Sequence, residues 1–269
     1  MPRLDDEVQT VVKNPGPWMI WIYGDYGAGK TVLACQFPNV LLLDTEGSRR
    51  SLLNHPELVN TKFIPIEGWK KFKEVGEALI LGQGEVYSIT ETTVVDTLST
   101  LQMKELNEQM KKLPGGRHAD LPSQAEFNIN NTRIRKLLLE MKERSQKNII
   151  LISHIKEEQD EQGTTLVIRP SNSPSLSATI ASLCDGIFYL SSKTDSKGET
   201  TRTLRCMPST KIRAKNRFAA TLEREIVNPS GKDILTAINE QQQLAQKYTD
   251  TIIIPDELIE SQIEENEHA

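Results

Sequence analysis

Apolar positions along this chain fall into short runs, and two periodicities alternate. β-rich runs occupy residues 19–23, 40–43, 63–66, 93–95, 148–152 and 186–190. Their nearly unbroken apolar character is that of strands buried on both faces. Between them, apolar residues recur at helical spacing over 31–36, 69–81, 98–110, 124–144 and 175–183. In 124–144, Ile134, Leu137, Leu138 and Met141 form one stripe, with Arg133, Lys136, Glu140 and Lys142 elsewhere. Such alternation predicts an α/β fold, a mainly parallel central sheet flanked by helices. The last third changes character. Residues 164–169, 200–207, 210–217 and 224–227 read as antiparallel strands joined by polar turns, with Asp195-Ser196-Lys197-Gly198 as a hairpin tip. A helix is expected near 233–247.

Composition adds bounds. With 269 residues, the chain fits one large domain or one domain plus an appendage. We expect an N-terminal arm over 1–16, a core over 17–232, and a C-terminal helix with an acidic tail over 233–269. No stretch is apolar for long enough to span a membrane, and the charged start Met1-Pro2-Arg3-Leu4-Asp5-Asp6-Glu7 does not resemble a signal peptide. Cys35, Cys184 and Cys206 are odd in number and scattered, unlike a disulfide framework or a zinc site. A cytoplasmic protein is expected, without membrane partners. The net charge of −5 argues against a general polyanion-binding coat. No Lys or Arg follows Lys247, while acids accumulate to the end. Such a tail is a solvated end or one that competes with nucleic acid.

Candidate chemistry begins after the first β-rich run. Gly24-Asp25-Tyr26-Gly27-Ala28-Gly29-Lys30-Thr31 is a complete G-x-x-x-x-G-K-[ST] loop, followed by Val32 in a helical pattern. Backbone N–H groups of such a loop cradle phosphates, the Lys reaches the terminal phosphates and the Thr hydroxyl holds Mg²⁺. These nine residues, Gly24 through Val32, therefore predict a site for a nucleoside triphosphate, taken as ATP with Mg²⁺. A second metal-side acid is expected at the end of a buried strand, and Thr92-Thr93-Val94-Val95-Asp96 supplies Asp96. Hydrolysis also needs a group that orients or deprotonates water. Leu43-Asp44-Thr45-Glu46 ends another strand in two acids that alternation places on one side. One of the two could instead cap the helix expected near 48–54. Glu46 is favoured for the water, with Asp44 in support.

Together these residues resemble the RecA family of ATPases in its core-only form, over roughly 17–230. The family's apolar run–Asp–small–Glu segment is matched by Leu43-Asp44-Thr45-Glu46, and its Walker B strand by the run ending in Asp96. Asn148-Ile149-Ile150-Leu151-Ile152-Ser153-His154 is similar to the strand whose polar end senses the terminal phosphate, which implies that role for His154. Lys215-Asn216-Arg217-Phe218 resembles the RadA-type Lys-Asn-Arg-Phe-Gly motif, with Ala219 in place of the glycine. On a strand, Lys211, Arg213, Lys215 and Arg217 would form one basic row. The resemblance implies that Lys215 and Arg217 reach the nucleotide of a neighbouring subunit; an edge strand guarded by cations is the plainer alternative.

The nearest form of the family is the small phage-encoded RecA-like ATPases of single-strand annealing and recombination, which would work in a host cytoplasm. The resemblance implies self-assembly into a ring or filament, single-stranded DNA as ligand and a single-stranded-DNA-binding protein as a possible partner. Two loops would meet DNA. Lys111-Lys112-Leu113-Pro114-Gly115-Gly116-Arg117-His118 is basic and Gly-rich, offering Lys111, Lys112 and Arg117 to phosphates. The second, 156–177, offers Arg169 but opens on Glu157-Glu158-Gln159-Asp160-Glu161, which repels a phosphate backbone. A KaiC-like ATP switch acting on a protein partner and a DnaB-type hexameric motor are the rival readings.

Overall fold

In the computed structural model, which describes residues 16–112 and 121–251 and side chains as far as 247, the buried runs form the middle of a nine-stranded sheet. The first elements in chain order are β1 (Met19–Gly24), α1 (Lys30–Cys35), β2 (Val40–Asp44), β3 (Lys62–Pro65), α2 (Trp69–Leu81) and α3 (Glu85–Ile89). Next come β4 (Thr92–Asp96), α4 (Leu98–Met110), α5 (Gln124–Arg144), β5 (Asn148–Ser153), β6 (Ile155–Gln159) and β7 (Thr165–Pro170). The chain continues through α6 (Pro174–Leu183), β8 (Gly186–Thr194), β9 (Thr200–Arg205), β10 (Lys215–Asn216), β11 (Glu225–Val227) and α7 (Gly231–Thr251). The sheet runs β3-β2-β4-β5-β1-β8-β9-β11, parallel from β3 to β8 and antiparallel beyond, with β10 also on β8.

Alternation along β1 divides the core. Met19, Trp21 and Tyr23 pack into the layer with α2, α4, α5 and α6, while Ile20 and Ile22 face α1 and α7. The stripe Ile134, Leu137, Leu138 and Met141 of α5 is buried in the first layer. Ile234, Ala237 and Ile238 of α7 enter the second, so this helix shares the core of the sheet. The turn at Asp195–Gly198 is present, with Gly198 at φ +86° and its N–H on the Asp195 carbonyl.

Two expectations need correction, and one element was not foreseen. Residues 210–217 do not form a strand: only Lys215–Asn216 pairs with β8, while Ile212 packs into the core beside Ile168. The basic row therefore does not exist as a row. Residues 155–159, expected as loop, form β6 and pair with β7 as a separate hairpin. Its polar side chains have no sheet neighbour to bury them, so no apolar signal marks it. The short α3 buries no residue fully and left no apolar stripe either. The residues of the arm 1–15, of the basic loop from Leu113 on, including Arg117, and of the tail beyond 251 lie outside those described.

Candidate nucleotide and metal site

The parallel strands β2, β4, β5 and β1 end on one side of the sheet, where Asp44, Asp96, Ser153 and Gly24 lie. Gly24 leaves no room for a side chain, since a Cβ there would stand 2.0 Å from the Leu190 carbonyl oxygen. Gly29 closes the loop at φ +94°, a left-handed conformation natural to glycine. The loop then turns into α1, which buries Lys30, Leu33 and Ala34.

Lys30 folds back over its own loop, Nζ donating to the carbonyls of Gly24 (2.9 Å) and Asp25 (2.6 Å). Burial pulls its pKa down, against the fields of Asp96, Asp25 and Glu46. Thr31 Oγ1 donates to Asp96 Oδ2 at 2.6 Å. Asp96 is almost wholly buried, and burial drives its carboxyl pKa up despite the hydrogen bonds from Thr31 and Ser48. A hydroxyl and an under-compensated carboxylate, both oxygen donors, suit a hard cation such as Mg²⁺. Among the described residues there is no cluster of three His, Cys, Asp or Glu side chains that would hold a metal unaided.

Asp44 takes the capping task that the sequence left open between the two acids. Its Oδ1 accepts from the amides of Glu46 (3.3 Å), Gly47 (2.8 Å) and Ser48 (3.0 Å), and Oδ2 receives Arg49 at 2.6 Å. Burial works to raise its pKa, but the Arg49 guanidinium and the amides outweigh it and hold the carboxyl below the ordinary range. Thr45 ties the turn to β4: its N–H donates to the Asp96 carbonyl and its hydroxyl accepts from the Thr97 N–H, both at 2.7 Å. Glu46 is thus delivered to the cleft mouth, free of the cap.

There its Oε2 is contacted by His154 Nε2 (3.2 Å), Thr100 Oγ1 (2.7 Å) and Thr97 Oγ1 (3.3 Å). The His154 contact, helped by the two hydroxyls, lowers the Glu46 pKa to about 2 against the effect of burial. His154 directly follows β5, stacks on Tyr26 of the loop (centroids 4.5 Å apart), and has its buried Nδ1 without a hydrogen-bond partner. Lys30, Thr31, Asp96, Glu46 and His154 line one cleft of about 320 Å³. A larger hollow of about 830 Å³ lies at the opposite end of the strands, lined by Trp18, Lys142, Asp185 and Arg217, and holds none of this chemistry.

The remaining expected residues lie elsewhere. Lys215 Nζ donates to the Ala181 carbonyl, and Arg217 pairs with Asp185 at 2.9 Å, beside the Met19 amide at the far end of β1. Neither completes the cleft of its own chain. Lys111 and Lys112 are exposed just past α4. Arg169 pairs with Glu158 at 2.6 Å and donates to the carbonyls of Pro170 and Asn172. The sequence reading missed Thr97 and Thr100, which hold Glu46, and Arg202, whose Nε donates to the Ala28 carbonyl of the loop (3.2 Å). Thr97 directly follows Asp96 and caps α4, a signal that was legible; Arg202 left none.

A strand–glycine loop–helix with its Lys and Thr beside an acid from β4, the parallel strand one beyond β5, defines a P-loop nucleotide-binding domain. A family model described as an AAA domain matches residues 16–218, and the chain belongs to that family. Among solved structures, the chain is similar to one titled "Crystal structure of the RadB recombinase", with 17% identity, a TM-score of 0.47, and coverage of 79% of this chain and 87% of that one. No curated protein matches it. Among the described residues no helix is long and apolar enough to cross a membrane.

Proposed function

We propose that this protein binds ATP with Mg²⁺ in the β1–α1 cleft and hydrolyses it to ADP and phosphate, acting on single-stranded DNA as a RecA-type recombinase or annealing ATPase that assembles with copies of itself. The observation that carries the ATPase reading is the convergence of Lys30, the Thr31–Asp96 pair and Glu46, from three neighbouring segments, on one cleft. In this reading the loop amides and Lys30 hold the phosphates, and Thr31 and Asp96 hold the ion. The bound Mg²⁺ would supply charge neutralisation on the phosphate oxygens. Glu46 orients the attacking water. With its pKa lowered to about 2 while His154 and the two threonines hold it, Glu46 stays ionised and serves to orient the water. His154 sits where a terminal phosphate would compete for it.

DNA binding rests on the family resemblance and on Lys111 and Lys112. The β6–β7 hairpin speaks for a second reading, an ATP switch acting on a protein partner: Glu157, Glu158, Asp160 and Glu161 are exposed on it, and its Arg169 is sequestered. Lys215 and Arg217, being remote from their own cleft, would serve only a neighbour's nucleotide, and Arg217 would first have to leave Asp185. ATP turnover measured with and without single-stranded DNA, over a range of salt, tests the proposal. Stimulation and salt-sensitive binding are expected; turnover without either would leave the protein-partner switch, and strand displacement on a fork would indicate a motor.

A further inference from the structure

Arg202, on β9, is a cation waiting for an anion. Arginines 49, 133, 169, 205 and 217 pair with carboxylates and other described arginines do not; Arg202 is set apart by lining the cleft of Lys30. The Arg202 side chain instead makes one hydrogen bond, Nε to the Ala28 carbonyl, 174 residues away in sequence. It passes so close to the loop that a Cβ on Gly29 would lie 2.9 Å from Nε and 3.3 Å from Cδ. Gly29 is required by its φ, and its bare Cα lets this arginine lie against the loop. With Nε anchored, the outer Nη fork has no acid to bind.

Its position names the anion. Gly29, Val32, His55 and Arg202 line both the 320 Å³ cleft of Lys30 and a smaller hollow of about 130 Å³ beside α1, closed by Gln36, Leu190 and Pro229. Arg202 stands where the two spaces meet. Glu46 and Asp96 belong to the same cleft, yet neither pairs with it. A planar fork with fixed Nε suits two oxygens of a phosphate.

We propose that Arg202 is a ligand of the nucleotide's phosphate chain, acting in cis from β9, with the nucleoside leading from it toward the small hollow. This rests on the nucleotide reading of the cleft and adds a residue outside the loop motif. It also gives the site a second cation of its own chain beside Lys30, where Lys215 and Arg217 supply none.

Titration calorimetry on dilute wild type, Arg202→Ala, Arg202→Lys and the control Arg205→Ala, with ATP and with inorganic pyrophosphate, tests it. Arg202→Ala should weaken both ligands roughly 10- to 100-fold, the loss of a charge-assisted hydrogen-bond pair, with Arg202→Lys in between and Arg205→Ala unchanged. Wild-type affinity for ATP in a folded Arg202→Ala or Arg202→Lys protein overturns the proposal. If wild type itself binds neither ligand, the nucleotide reading fails instead. Mixing Arg202→Ala chains with Lys30→Ala chains decides cis against trans. Acting in cis, the mixture stays inactive; recovered hydrolysis would contradict the assignment.

Discussion

Two acids two residues apart, Asp44 and Glu46, end in opposite electrostatic roles. Asp44 spends its oxygens on three amides and Arg49, while Glu46 reaches out to hydroxyls and an imidazole. The direct consequence is that Glu46→Gln should retain ATP binding but lose about 100-fold or more in turnover, measured by phosphate release. Lys30→Ala should abolish nucleotide binding in calorimetry, since no other described cation bonds the loop's Gly24 and Asp25 carbonyls. The lowered pKa of Glu46 carries a sign. Its contacts stabilise the fold fully above the ordinary glutamate value and lose that contribution as pH falls toward about 2, so neutral-pH changes in rate do not arise from its protonation. His154→Ala should move the Glu46 carboxyl back upward, followed by carbon-detected NMR titration. An unmoved titration would show that the threonines alone set it.

At the scale of elements, the turn between β2 and the 3₁₀ segment Ser48–Asn54 hangs on Asp44. Asp44→Ala removes a buried carboxylate from its pair with the half-exposed Arg49 and strands three amides. A loss of about 3 kcal/mol is expected, a fall in Tm of roughly 5–10 °C, together with slower hydrolysis as Glu46 loses its aim. The helix layer has a comparable device in polar form. Ser153, at the end of β5, accepts from Trp21 Nε1 and bonds Asn172; Asn172 donates to Gln102, which donates to Asn131 and Ser173. Asn130, Gln109 and Arg133 meet on the buried Glu105. This chain of side chains joins the strand that carries His154 to α4 and α5. Apolar periodicity predicted α4 and α5 with the bounds they have in the structure, because their apolar faces are buried. It was blind to the polar residues on those faces, whose burial becomes tolerable only when partners from distant segments arrive.

For the whole molecule, the buried Asp96 beside Thr31 means that nucleotide and metal should stabilise the fold together. ATP plus Mg²⁺ at a hundredfold excess over Kd should stabilise the fold by about 2.7 kcal/mol, ATP plus chelator should raise Tm less, and Asp96→Asn should erase the difference. Removing residues 249–269 should tighten DNA binding if that acidic end competes for the basic loop, read as a shift in salt-dependent affinity. Lys215→Ala and Arg217→Ala should keep nucleotide binding in dilute protein and lose assembly-dependent turnover. Equal loss in the monomer would place their effect in the fold, through Ala181 and Asp185.

The chain's own order of residues determined the strands, the long helices and the phosphate loop, because each is written within a few neighbouring positions. Periodicity marks what an element buries, and the loop's glycines, Lys30 and Thr31 are contiguous. Only the tertiary structure decided which of Asp44 and Glu46 caps and which faces the cleft, that residues 211–214 leave the sheet, that Arg169 is spent on Glu158, and that Arg202 reaches Ala28. Those outcomes depend on which partner a charge meets across many residues of sequence, and sheet order sets that pairing where local pattern cannot.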